Sequence, residues 1–192
     1  DWSVKINGLT QRSKLAYQTI PQNFRFEPGV TYKVSFDYQA GSDDTYGVVV
    51  GAGEYTGATN LETLKKSLGT TAHYEREIVG DITGQTWFGI YSTSTAPDLQ
   101  GVNSSSAQAN FGGYKELVLD NLVIEKVEQN ITIDTLKDLI ATAEGYNKED
   151  YTAADWKKLD DALTKAKVAV NRDKTSADEI ESAYYALNGA IN

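Results

Sequence analysis

YKELVLDNLVIEKV, residues Tyr114 to Val127, is the longest strand-like run in the chain, and the sequence changes character after it. Its apolar residues fall into two alternating sets, Tyr114, Val118, Leu122 and Ile124 against Leu117, Leu119, Val123 and Val127. Apolar groups on both sides predict a central strand buried on two faces. After the polar Glu128-Gln129-Asn130 the apolar spacing switches from two to three and four. The stretch therefore closes a β-region and hands the chain to a helical one.

Upstream, short apolar runs alternate with turn residues. Trp2 to Asn7, Leu15 to Ile20 and Asn23 to Glu27 read as strands, broken by Gly8, Pro21 and Pro28-Gly29. Thr31 to Gln39 alternates most cleanly. Tyr32, Val34, Phe36 and Tyr38 face one way and Thr31, Lys33, Ser35, Asp37 and Gln39 the other, as in a half-buried antiparallel strand. Tyr46 to Ala52 follows, with Gly47, Gly51 and Gly53 leaving room for a close neighbour or a bulge. Residues 56–72 fit either a short helix on Leu61, Leu64 and Leu68 or a long loop. His73 to Val79 and Thr86 to Ser92 are two more strands, and residues 97–113 read as an exposed loop. About eight strands without helical crossovers predict an antiparallel β-sandwich of jelly-roll type over residues 1–128.

Residues 129–192 predict three helices. Ile133, Leu136, Ile140 and Ala143 mark the first, which Gly145 ends. The second starts at Thr152, with Asp155 three residues on, and carries the stripe Trp156, Leu159, Leu163, Ala166 and Val170. The third starts at Ser176 with Glu179, and its stripe runs from Ile180 through Leu187 to Ile191. Steps averaging 3.5 residues and short connections predict an antiparallel three-helix bundle.

The 192 residues contain no cysteine, so disulfides and thiolate metal sites are excluded. The formal charge of −9 is spread over both regions, and no basic stripe is present. Nucleic acid is therefore a poor partner, as is an anionic membrane surface. No apolar run reaches the ~20 residues of a membrane span, so no membrane insertion is expected. The chain starts at Asp1 rather than Met, and a monomeric piece of a longer, processed protein is expected.

Two resemblances stand on particular residues. Residues 131–192 resemble a FIVAR module through Tyr151-Thr152, Trp156, Leu159, Ala162-Leu163 and Ala166, then Thr175, Ile180, Ala183, Leu187 and Ala190-Ile191. That resemblance implies a small spacer or binding module of Gram-positive surface proteins. Residues 1–128 resemble galactose-binding-like jelly rolls, which include many carbohydrate-binding modules. The matching stretches are Trp2-Ser-Val-Lys-Ile6, Phe26-Glu-Pro-Gly29, Thr31-Tyr-Lys-Val-Ser-Phe-Asp37, Trp87-Phe-Gly-Ile-Tyr91 and Leu119-Asp-Asn-Leu122. The two regions in this order are similar to the C-terminal end of family 101 glycoside hydrolases, secreted endo-α-N-acetylgalactosaminidases acting on mucin-type O-glycans. The resemblance implies an extracellular or cell-wall-attached protein with its catalytic domain upstream. It also implies a further strand before Trp2, which this chain starts too late to show. The partners implied are a glycan or the other domains of the parent enzyme.

Sugar binding needs an aromatic face beside polar groups. Trp87, Tyr91, Tyr55, Tyr46 and Trp2 are the candidates, with Tyr55 and Tyr91 favoured by loop placement, whereas Trp87, an aromatic on a strand, reads first as core packing. Asp120 interrupts an apolar strand and must be paired, hydrogen-bonded or bound to metal. The resemblance implies a structural calcium ion (Ca2+) there, while the residue alone fits equally an aspartate capping loop amides. No catalytic residue can be nominated. Asp43-Asp44 sits in a turn cluster, and His73, the single histidine, has no nucleophile motif beside it. Two functions remain open: a carbohydrate-binding accessory, or a spacer linking an enzyme to the cell wall.

Overall fold

The computed structural model describes residues 4–7, 15–19, 24–41, 43–44, 46–52, 59–92 and 116–192. The described residues form eight strands: β1 (Val4–Asn7), β2 (Leu15–Gln18), β3 (Thr31–Ala40), β4 (Tyr46–Ala52), β5 (Thr59–Thr63), β6 (Ala72–Val79), β7 (Thr86–Ser92) and β8 (Glu116–Lys126). They build two four-stranded sheets, ordered β1-β8-β3-β6 and β2-β7-β4-β5. The chain is thus an antiparallel β-sandwich with three helices in its C-terminal part.

In the ambiguous 56–72 stretch the described residues, 59–72, are neither a helix nor all loop. Residues 59–63 form the edge strand β5 on β4, with a bulge at Val48/Val49. Conversely, 24–27 is not a strand. Phe26 turns fully inward and meets Tyr32 edge-on at 5.1 Å, which takes the segment out of any ladder. On β3 the expected faces are observed from Tyr32 onward: Tyr32, Val34, Phe36 and Tyr38 are buried, while Lys33, Asp37 and Gln39 are half-exposed; Thr31, expected on the outer face, is buried instead. Between the sheets Phe36 lies 6.4 Å from Phe88, and within its own sheet it stacks on Tyr74 at 4.8 Å. Burial pushes the Tyr74 hydroxyl up to about 12.

The closing strand β8 is central in hydrogen bonding, flanked by β1 and β3, but only one of its faces is buried. Val123 is 45% exposed. Leu117 and Leu119 are buried, whereas beyond Asn121 the half-buried residues are Leu122 and Ile124. Asn121 has φ +50, and this left-handed residue switches which parity faces inward. The two apolar sets therefore reflect one face read in two registers rather than two buried faces.

Contacts divide the chain into two compact units. One comprises Asp1–Arg25, Lys33–Ile78 and Gln85–Glu125; the other comprises Phe26–Tyr32, Val79–Gly84 and Lys126–Asn192. The helical unit thus takes in two segments from upstream of residue 129. Its helices are α1 (Ile133–Glu144), α2 (Ala153–Asn171) and α3 (Ala177–Ile191), with a 3-10 turn at Lys148–Asp150. Thr132, Thr152 and Ser176 cap the three starts, and Ser176 with Glu179 forms the expected reciprocal box. On α2 the buried seam is Leu159, Ala162, Ala166 and Ala169, with Trp156, Leu163 and Val170 packed at its edges. Small residues win the innermost positions because they let helices approach closely.

The two upstream segments are hydrogen-bonded to each other and to α3. Gly29 N donates to Gly80 O at 2.7 Å, Ile82 N to Gly189 O at 3.1 Å, and the buried Asn188 amide to Gly29 O at 2.7 Å.

Candidate functional site

Alternation along β3 puts Asp37 and Gln39 opposite the buried Phe36 and Tyr38, hence on the outer face of their sheet. There they join Thr71, Val118, Asp120 and Asn121 around a depression of about 360 Å3. Asp37 organises its floor. One carboxylate oxygen lies 2.7 Å from His73 Nδ1, and the other accepts from the Asn121 side-chain amide at 2.7 Å. Asn121 reaches it because its left-handed backbone turns the side chain onto this face, a conformation in which Asn is enriched. Gln39 donates to Thr71 Oγ1 at 3.3 Å and accepts from Gly69 N at 3.1 Å. Planar polar groups are thus fixed by one another at an open surface, which suits hydroxyl recognition at low entropic cost.

The Asn121 amide first, and His73 second, hold the Asp37 carboxyl below the usual 3.8. The folded state therefore favours the ionised form. The resulting stabilisation is present above 3.8 and is lost as pH falls through the lower folded value. A carboxyl NMR titration is expected to place the Asp37 midpoint below 3.8. Asn121→Gly, which keeps the backbone free to turn but removes the amide, should raise that midpoint. An unmoved midpoint would refute the assignment.

The sequence candidates are distributed differently. Tyr55 lies outside the described residues, as does Trp2. Tyr91 lies within β7, one residue before its end, paired with Gly47 on β4 and Leu15 on β2. Tyr46 and Trp87 are both 0% exposed. Trp87 therefore has no face to offer a sugar; it fills the sheet instead. A Cβ at Gly51 would lie 2.3 Å from its ring and one at Gly89 3.1 Å, so the room left by glycine on β4 is taken by indole. Asp120 lines the depression, with Oδ1 accepting from Asn121 N at 2.8 Å. Among the described residues no three His, Cys, Asp or Glu side chains gather to hold a metal.

Asp43 and Asp44 hold a turn: Asp43 accepts from Lys66 N, and Asp44 pairs with Lys65 at 2.7 Å. Asp37, Asp44, Asp155 and Glu179 are all pulled below their usual values, Asp37 and Asp44 chiefly by side-chain hydrogen bonds. A glycosidase acid requires the opposite shift. What sequence reasoning missed was the joining of Asp37, His73 and Asn121.

The family model described as galactose-binding domain-like matches residues 1–113. The chain belongs to the galactose-binding domain-like family. The matched span of this galactose-binding domain-like region takes in β1 to β7 and stops before β8, so Asp120 and Asn121 lie beyond it. Among solved structures, the chain is similar to the CBM51-2 and INT domains of Clostridium perfringens ZmpB, at 10% identity and TM-score 0.29, covering 83% of this chain and 31% of that one. It is similar to the CBM22-1 xylan-binding domain of Paenibacillus barcinonensis Xyn10C, at 10% identity and TM-score 0.40, covering 67% and 74%. A CBM4 structure matches at 12% identity and TM-score 0.36, covering 65% and 82%. This chain thus spans about a third of the first of these. At such identities and scores the likenesses say nothing about a ligand. No helix among the described residues is long and apolar enough to cross a membrane.

Proposed function

We propose that this chain is a non-catalytic, carbohydrate-binding accessory region of a secreted bacterial endo-α-N-acetylgalactosaminidase. It holds that enzyme near mucin-type O-glycans through the Asp37–Gln39–Asn121 depression. The observation that carries the reading is this cluster of mutually fixed polar groups on a galactose-binding domain-like sandwich. The FIVAR resemblance of residues 131–192 and the family 101 resemblance of residues 1–128 supply the parent enzyme and its Gram-positive surface. The chain's −9 charge favours a neutral glycan over an anionic one.

A second reading is a packing or spacer region without sugar affinity. The complete burial of Tyr46 and Trp87 favours it, since neither ring presents a platform to a sugar.

An amide-resolved NMR titration with galactose, N-acetylgalactosamine and the Gal-GalNAc disaccharide separates the two. Saturable shifts at Asp37, Gln39 and Asn121, weakened about tenfold by Gln39→Ala, are expected. No shift there at millimolar sugar would leave the spacer reading. Repeating the titration with calcium and then a chelator asks whether Asp120 answers to an ion.

A further inference from the structure

We propose that the helical unit carries a second carbohydrate site, a cavity of about 310 Å3 that takes one neutral N-acetylhexosamine residue. It is walled by Tyr151, Asp155 and Lys158 at the start of α2, by Ile191 at the end of α3, and by Asp81 and Ile82. All belong to the same compact unit. The volume sits at the small end of the roughly 300–1,000 Å3 of ligand pockets, which suits one sugar ring.

The chemistry of the walls selects the ligand. Tyr151 supplies the aromatic group, and its ring is fixed by neighbours. Tyr146 meets it edge-on at 5.8 Å and 84°, and Trp156 lies tilted at 5.9 Å. A ring already held in place loses little entropy on binding. The polar groups are equally fixed. Asp155 accepts from the Thr152 hydroxyl at 2.7 Å and from Lys158 at 3.0 Å. Asp81 accepts from Thr83 N at 3.1 Å and from its hydroxyl at 2.7 Å. Lys158 has three ammonium donors, of which Asp155 takes one. Carboxylates and an ammonium beside an aromatic ring match the hydroxyls and apolar face of a pyranose.

Two carboxylates against one ammonium leave the cavity net acidic, which disfavours sialic acids and sulfated sugars. Ile82 and Ile191 add apolar wall beside these groups, where an acetamido methyl is better placed than a hydroxyl. The larger groove of about 530 Å3 between α2 and α3 lacks this convergence. Arg172 and Glu179 on its rim pair with each other at 2.8 Å.

The test is an amide-resolved NMR titration of the full chain with N-acetylglucosamine, N-acetylgalactosamine and glucose. Saturable shifts are expected at Ile82, Asp155 and Ile191 with both acetamido sugars, and weaker ones with glucose. Lys158→Ala, a surface change, should weaken binding about tenfold. Tyr151→Ala should abolish it, with a thermal melt to confirm that the unit stays folded. Three results would overturn the proposal: no saturable shift at tens of millimolar sugar, shifts unmoved by Lys158→Ala, or shifts confined to Asp37, Gln39 and Asn121. The last of these would uphold the sandwich site alone. Shifts at Ile82, Asp155 and Ile191 alone would uphold this site and remove the other.

Discussion

Gly29→Ala is expected to destabilise the helical unit by about 3–5 kcal/mol, a third or more of a typical domain's net stability. Two effects add. The residue has φ +71, where an L side chain costs roughly 1–2 kcal/mol. A Cβ there would also lie 1.7 Å from the Tyr185 carbonyl oxygen, a backbone atom that no rotamer change can move. Relief requires shifting α3, which pulls the Asn188 amide off Gly29 O and strands two buried polar groups at a cost of roughly 1–3 kcal/mol. Gly69 provides the control. Its φ of +87 carries similar backbone strain, but a Cβ would meet nothing within 4 Å. Gly69→Ala should therefore show the strain alone. Urea denaturation of both variants gives the difference. If Gly29→Ala unfolds no more readily than Gly69→Ala, residues 26–32 do not support the helices, and the unit is the 129–192 run by itself.

That dependence was invisible in the sequence, and the reason is physical. Period and capping are local, so β3, β4, β6, β7 and the three helices could be placed from their own residues. Thr152 and Ser176 cap where their spacing to Asp155 and Glu179 said they would. Packing of one segment on another is not local. Pro28-Gly29 reads as a turn, and nothing nearby shows that residues 188–189 are its partners. The edge strand β5 was hidden for a related reason. Its pairing with β4 comes from a partner strand, while the leucines at 61, 64 and 68 mimic a helical period.

The candidate site was legible only in pieces. Asp37 was placed on the polar face of β3, and Asp120 was marked as an interruption in an apolar strand. Their meeting depends on strand register, which no run of residues encodes by itself. Asp37 reaches His73 across 36 positions and Asn121 across 84. One signal was available: Asp120-Asn121 in the middle of a strand marks the place where the backbone turns left-handed, and the inward parity changes there.

Trp87 separates packing from recognition, because the two roles predict opposite outcomes. As core, Trp87→Ala should cost about 3–5 kcal/mol, since the indole is wholly buried and lies against glycines that offer no side chain to refill the gap. As a sugar platform, its loss would leave stability nearly unchanged and remove binding. The indole N–H sharpens the contrast. It is buried without a hydrogen-bond partner among the described residues, a loss that burial of the ring outweighs. Trp87→Phe deletes that N–H, recovering roughly 1–3 kcal/mol against the smaller ring's lost contacts. It should therefore cost far less than the alanine change. Thermal unfolding of both variants, with the galactose titration repeated on Trp87→Phe, reads all of this. A stable Trp87→Ala protein that no longer shifts with sugar would return Trp87 to the binding face. A destabilised Trp87→Ala with intact binding in Trp87→Phe leaves recognition to the Asp37 depression.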